Sequence, residues 1–207
     1  MGNLKTWMVY GLMLLPSLGK AQECCKMNNE TIQTIMARRS VRKYLDKPVE
    51  HEKLALIAKC GINAPSAMNQ QTWAVRVVEN PDFIKGTTEI FKKENPEQVK
   101  RDANFKNMYR NAPNIIVVAC PKDDHYATLN VGLMGENMML AAQSLGLGTC
   151  CLGSAAMFLQ RSEAYKPFIA KLHLPDSYEI SYILAIGYPD ETPAAKPRDD
   201  SKVEYIK

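Results

Sequence analysis

The sequence predicts an α+β fold in which one sheet lies between two layers of helices. Residues 115–120 (IIVVAC), an unbroken apolar run between Pro113 and Pro121, and residues 180–186 read as buried strands. Segments of helical periodicity alternate with these strands, and that alternation requires helices on both faces of the sheet. The 207 residues, 46% hydrophobic and 23% charged, suit one soluble domain with a short appendage.

Asn28 or Asn29 caps a first helix, whose Ile32, Ile35 and Met36 share an apolar face and which ends near Arg38 to Ser40. A second helix runs from Glu50 to about Ile62, with Leu54, Ile57, Ala58, Gly61 and Ile62 on its buried stripe. Residues 63–71, rich in Asn, Ser and Pro, form a loop that feeds a strand over 73–78. Residues 81–110 are more polar and helical, with a break at Asn95-Pro96. Residues 126–145 form a helix that is apolar nearly all round, with Met134, Met138 and Met139 as core filler. Gly146 ends it as a left-handed cap. A short strand at 150–152 and a helix over 163–172 complete the elements, and no repeat or linker interrupts them.

The N-terminus has the order of a secretory signal peptide. Lys5 precedes the apolar stretch 7–15 (WMVYGLMLL), Pro16 and Gly19 break it, and Gly19-Lys20-Ala21 supplies a small-x-small cleavage pattern. The expected organisation is a signal peptide over 1–21 and one domain over 22–207, exported to the periplasm. A buried N-terminal helix in a cytoplasmic enzyme is the alternative. Glu23 stands where a lipid anchor on Cys24 needs a small residue. The apolar run falls far short of the roughly 20 residues that cross a bilayer, so no membrane span is expected. Lys and Arg number 26 against 22 acids; loss of Lys5 and Lys20 leaves 24, too even a balance for nucleic acid or an anionic membrane.

Several chemistries are excluded by what is missing. His51, His125 and His173 are scattered and no H-E-x-x-H occurs, so no metal site is expected. The adjacent pairs Cys24-Cys25 and Cys150-Cys151 make no C-x-x-C; Cys60 and Cys120 read as small buried hydrophobes. Cys24 and Cys25 have the option of a disulfide partner in an oxidising compartment. No G-x-S-x-G elbow is present. Gly146-Leu147-Gly148 has Cys151 at the third glycine position and follows a helix, so it is not a dinucleotide fingerprint.

What remains is a set of separated clusters. Arg38-Arg39-Ser40-Val41-Arg42 gathers guanidinium forks and a hydroxyl that match a phosphate, although a basic helix end is favoured by the dipole in any case. Residues 64–73 (APSAMNQQTW) form an amide-rich loop suited to the edge of a planar heterocycle, or an ordinary connection. Gly187-Tyr188-Pro189 precedes the basic pair Lys196 and Arg198.

In this order the clusters resemble the nitroreductase family. The matching patterns are R-R-S-x-R, A-P-S-x-x-N-x-Q-x-W, N-x-x-L-A-A-x-x-L-G-L-G-T, G-Y-P and a late K-x-R, spread over roughly residues 32–198. The resemblance implies a three-layer α/β/α sandwich with a mixed central sheet and FMN at a homodimer interface. It implies ping-pong hydride transfer from NADH or NADPH through FMN to a small oxidised acceptor, such as a nitroaromatic or quinone. Arg38, Ser40 and Arg42 would then reach the flavin phosphate, ribityl chain or pyrimidine edge, with Arg39 helping at the phosphate and Lys196 and Arg198 closing over it. Asn69, with Gln71 nearby, would meet the reactive edge of the ring, and Pro65 and Ser66 would come from the opposite subunit. Gly148 and Thr149 match the turn beneath the ring, where a backbone N–H points at flavin N5. No ionisable catalytic residue is required, because preorganised amides stabilise the developing charge and the flavin does the chemistry.

Two departures stand out. Thr72 replaces a proline common in the family, and residues 85–110 match no recognised substrate pocket. A specialised member, such as a reductive dehalogenase or flavin-consuming enzyme, is therefore an alternative. The rivals of another class are a flavin-binding carrier without turnover and a globular interaction protein.

Overall fold

The structure is a computed structural model that describes residues 29–207. The expected leader, the cap at Asn28 and the Cys24-Cys25 pair lie outside the described residues. The chain divides at Met36/Ala37 into two units. In the first, Asn29 Oδ1 accepts from the Ile32 N–H at 3.1 Å and so opens α1 (Glu30–Ala37). No residue of α1 is buried, and the expected apolar face of Ile32, Ile35 and Met36 is exposed.

The second unit is an α+β sandwich around a four-stranded sheet. Its strands are β1 (Ala74–Val78), β2 (Asn114–Pro121), β3 (Gly148–Leu152) and β4 (Tyr178–Gly187), in the spatial order β1-β2-β4-β3. Every ladder is antiparallel, and parallel pairing is confined to one bridge between Ser40 and Thr149. The reason lies in the crossover. The helix α5 (Ala127–Ser144) brings β3 back in the direction of β2, but one strand away, and β4 fills the gap antiparallel to both.

Alternation along the strands builds the two cores. Ile115 and Val117 face the same layer as Ile183 and Ala185, covered by Phe83 and Ile84 of α3 (Pro81–Glu94) and by Ala155, Ala156 and Leu159 of α6 (Gly153–Arg161). Ile116 and Val118 face the other layer with Leu184 and Ile186, covered by Leu54 and Ile57 of α2 (His51–Ile62) and by Val131, Met134 and Met138 of α5. Met139 packs at the edge of that cluster, and on α2 Ala58 is half-buried while Ile62 is exposed at the helix end.

Elsewhere the local chemistry sets the boundaries. Gly146 adopts φ +73°, its N–H reaches the Gln143 carbonyl at 3.1 Å, and the Leu147 N–H reaches Ala142 at 2.9 Å, which closes α5 as a Schellman motif. Asn80 Oδ1 caps α3 by accepting from the Asp82 N–H at 2.8 Å. After the break at Asn95 only α4 (Pro96–Lys100) is helical, and residues 101–113 are irregular. The helix expected over 163–172 is a 3-10 turn, Glu163–Tyr165, followed by α7 (Lys166–Ala170), because Pro167 has no N–H to continue the first turn. Among the described residues no helix is long and apolar enough to cross a membrane.

Candidate functional site

After α1 the chain runs as an arginine-rich loop between β3 and the segment that follows β4. The Val41 N–H donates to the Thr149 carbonyl at 2.9 Å beside the Ser40–Thr149 bridge. On the other side Leu45 N–H meets the Tyr188 carbonyl and Asp190 N–H meets the Lys43 carbonyl, each at 2.9 Å, while the Arg42 N–H donates to the Glu191 carboxylate. Segments far apart in sequence, 38–45, 148–149 and 187–191, thus become neighbours. Gly148 makes the approach possible, because a Cβ there would lie 2.8 Å from both Cβ and Cγ2 of Val41.

The side chains of this loop are held from several directions. Arg38 Nε donates to Glu136 Oε1 of α5 at 3.0 Å, and the Arg38 side chain is only 22% exposed. Arg39 Nη1 donates to the Arg38 carbonyl at 2.8 Å, and Arg42 Nη1 to the Ser40 carbonyl at 3.2 Å. Tyr44 donates its hydroxyl to the Val41 carbonyl at 2.6 Å, and burial holds that phenol well above its ordinary range. Burial likewise pushes the Cys150 thiol up, with Arg42 and Arg110 pulling it partly back. The Cys151 thiol is also raised by burial, so neither cysteine is poised as a thiolate.

The amide-rich loop is a second built feature. Met68, Asn69 and Gln71 all have positive φ, at 51°, 54° and 51°, around the 3-10 turn Ala67–Asn69. Ser66 Oγ accepts from the Gln71 N–H at 2.9 Å, and Gln71 Nε2 donates to Asn69 Oδ1 at 3.3 Å. Buried Asn130 of α5 anchors both ends: its Oδ1 accepts from the Ala67 N–H at 3.0 Å, and its Nδ2 donates to Thr72 Oγ1 at 3.3 Å. Thr72 in turn donates to Asp124 Oδ2 at 2.6 Å, and that hydroxyl is the main reason the Asp124 carboxyl titrates below its usual range. Thr72 therefore fixes the loop by hydrogen bonding on both sides, to Asn130 and to Asp124. Thr72→Val should cost about 1–3 kcal/mol in urea unfolding, because it strips a partner from a buried amide, while Thr72→Ser should stay near wild type. Equal stability of all three proteins would contradict this role.

The G-Y-P segment serves as a fastening. Tyr188 donates to Glu50 Oε2 at 2.6 Å and accepts from Lys53 Nζ at 2.7 Å, with Lys47 Nζ 4.2 Å above its ring. The Tyr188 hydroxyl is the main cause that brings the Glu50 carboxyl down to about 2. A depressed acid of this kind favours the folded state above its unfolded pKa, and that contribution is lost as pH falls toward 2.

Residues 35–188 match the nitroreductase family. The chain belongs to that family. Among its relatives, the NADPH-flavin oxidoreductase of Vibrio harveyi is 29% identical over 187 residues, covering 82% of this chain and 70% of the relative. The iodotyrosine deiodinase of Thermotoga neapolitana is 27% identical over 186 residues, covering 81% and 93%. The crystal structure of a nitroreductase with bound FMN from Desulfitobacterium hafniense superposes with a TM-score of 0.79 at 25% identity, covering 87% of this chain and 100% of that one.

In this nitroreductase-family chain the expected site residues fall into separate groups. Arg38, Arg39, Ser40 and Arg42 share one loop against Gly148 and Thr149. The turn expected at Gly148-Thr149 lies earlier, at 145–147; both residues are in β3, where Thr149 is 2% exposed and paired with Ile186. Gly153 and Ser154 open α6, which starts without a side-chain cap. Pro65, Ser66, Asn69 and Gln71 make no bond to Arg38, Ser40 or Arg42 within the described residues. Lys196 and Arg198 lie on the exposed tail, where Arg198 Nη1 donates to the Lys196 carbonyl at 3.4 Å. Glu136, Asn130 and Asp124 were absent from the sequence expectation; on the largely apolar α5 the single acid was the available signal for Glu136, whereas Asn130 is one of three amide side chains there and nothing local singled it out. Among the described residues no group of His, Cys, Asp or Glu is gathered as a metal would require.

Proposed function

We propose that this protein is an FMN-dependent oxidoreductase that uses NADH or NADPH and works as a homodimer. The observation that carries this reading is the stitching of the arginine loop onto β3, which sets Ser40 and Val41 against Gly148 and Thr149 with Arg38 and Arg42 on the same loop. When bound, FMN supplies a ring that accepts a hydride from reduced nicotinamide and delivers it to an oxidised acceptor. The chain supplies the rest. Arg38, Arg39, Ser40 and Arg42 offer planar forks and a hydroxyl to the phosphate, a donor set that fits a dianion. Lys196 and Arg198 come from the tail to the same charge. Gly153 and Ser154 present N–H groups fixed by α6, which need no reorganisation as charge develops nearby.

The second subunit completes the site. Pro65, Ser66 and Met68 border a cavity of about 410 Å³ together with Tyr126, Leu129 and Leu133 of the α5 region, and the last three are exposed apolar side chains. A second copy seated on that face would bury them and carry Pro65, Ser66 and Asn69 toward its partner's flavin.

Donor and acceptor are expected to use the flavin in turn. Stopped-flow mixing with NADH or NADPH alone should bleach the flavin absorbance, and an added quinone or nitroaromatic should restore it. Steady-state plots at varied donor should be parallel. Bleaching that requires the acceptor, with intersecting lines, would contradict turn-taking. Reductive dehalogenation is the second reading, supported by the deiodinase relative; halide release from a halogenated aromatic under the same conditions would favour it.

A further inference from the structure

A separate cavity of about 410 Å³ lies where α3 and residues 98–111 meet the end of β3 and the start of α6. Its size is within the roughly 300–1,000 Å³ of small-molecule pockets. One side is aromatic. Phe91 meets Phe158 edge-on at 4.9 Å between ring centroids and stacks on Phe105 at 5.8 Å, with Met108 beside them. Such a wall favours a flat ring over an aliphatic chain.

The rim carries the charge. Arg101 and Arg110 both line this cavity, and neither guanidinium is in an ion pair among the described residues. Asp102 is also at the rim, where its Oδ1 accepts from the Asn104 N–H at 2.9 Å. Arg110 is held by a built loop rather than a loose one. It has φ +60° and Asn111 φ +62°, and Asn111 Oδ1 accepts from the Lys106 and Asn107 N–H groups at 2.8 and 3.0 Å. The Asn111 amide also donates to the Asn104 carbonyl at 2.9 Å. Left-handed backbone at residues with side chains persists only where the surroundings enforce it, and such positions cluster at binding sites.

The cavity adjoins the site already described. Leu152, the last residue of β3, and Ser154, in the first turn of α6, border it. Arg110 also acts on the same Cys150 thiol and Tyr44 hydroxyl as Arg42 of the arginine loop.

We infer that this cavity is the acceptor pocket and that the acceptor is a planar aromatic anion, its ring against Phe91, Phe105 and Phe158 and its carboxylate or sulfonate on Arg110 and Arg101. This assignment rests on the oxidoreductase reading for its role, though not for its ligand chemistry. With a nitroarene as probe the overall reaction is Ar–NO₂ + NAD(P)H + H⁺ → Ar–N=O + NAD(P)⁺ + H₂O, with the nicotinamide as reductant and one nitro oxygen leaving as water.

The test compares 4-nitrobenzoate with its neutral methyl ester on the holoenzyme, and titrates 4-nitrobenzoate calorimetrically without nicotinamide. The ester has the more electron-poor ring, so a preference for the acid runs against intrinsic reactivity. Wild type should favour the acid by about tenfold or more in kcat/KM, since charged hydrogen bonds are the strong ones. Arg101→Gln with Arg110→Gln should abolish that preference and weaken calorimetric binding of the acid, leaving the ester and NADPH bleaching unchanged. Equal use of acid and ester by wild type, equal losses on both in the variant, or loss of FMN from the variant would each overturn the inference. If NADPH fails to bleach the wild type while 4-nitrobenzoate still binds through the two arginines, the oxidoreductase reading falls and the ligand class stands.

Discussion

Replacing Arg38 and Arg42 together by alanine is expected to give a folded protein that no longer retains FMN through gel filtration. A hydrogen bond to a charged group contributes about 1.5–3 kcal/mol, so each lost fork should weaken binding roughly ten- to a hundredfold. Folding should survive. The Arg42 guanidinium bonds to the Ser40 carbonyl, and the backbone contacts of the loop to Thr149, Tyr188 and Glu191 are untouched. Loss of Arg38 leaves Glu136 without a partner, but that carboxylate is 43% exposed and can be hydrated. Equilibrium dialysis with FMN gives the affinity and circular dichroism the fold. Unchanged affinity in a folded double variant would mean that the phosphate is held elsewhere.

Leu129→Asp with Leu133→Asp is expected to convert a dimer into a monomer and to lose FMN with it. Both side chains are exposed on α5, so the isolated subunit tolerates the charges. Buried in an interface without partners, each carboxylate would cost several kcal/mol. Light scattering reads the mass and the flavin absorbance reads the occupancy, and the two should fall together if Pro65 and Ser66 serve the neighbouring flavin. A variant that stays dimeric, or a monomer that keeps FMN tightly, would contradict the shared site.

The parts of the fold legible in the sequence are those set by local pattern. The run 115–120 has no polar residue to place on a wet face, so a strand buried on both sides follows, and β2 is that strand. Gly146 marked the end of α5 because a left-handed residue was needed there. Strand order was not legible. The insertion of β4 between β2 and β3 depends on pairing between distant segments, and an alternation of helices and strands does not specify it. The helix α6 was missed because Ala155, Ala156 and Leu159 are a thin apolar signal beside a short strand.

The site divides in the same way. The arginine loop and the amide loop were visible as clusters of residue types that suit a phosphate and a ring edge. Their supports were not. Glu136 lies 98 positions from Arg38, and Asn130 lies 58 from Thr72, so no window of sequence contains both partners. Arg110 carried no pattern at all. Its left-handed backbone is imposed by the amides of Asn107 and Asn111, a constraint that exists only once the loop is folded.

FMN binding is tested most simply by the visible absorbance spectrum of the purified protein, followed by release and quantification of the chromophore. The purified protein should be yellow, with an equimolar amount of FMN per subunit, and NADH or NADPH should bleach it. A protein that is colourless, and stays colourless after incubation with FMN and gel filtration, would contradict FMN binding.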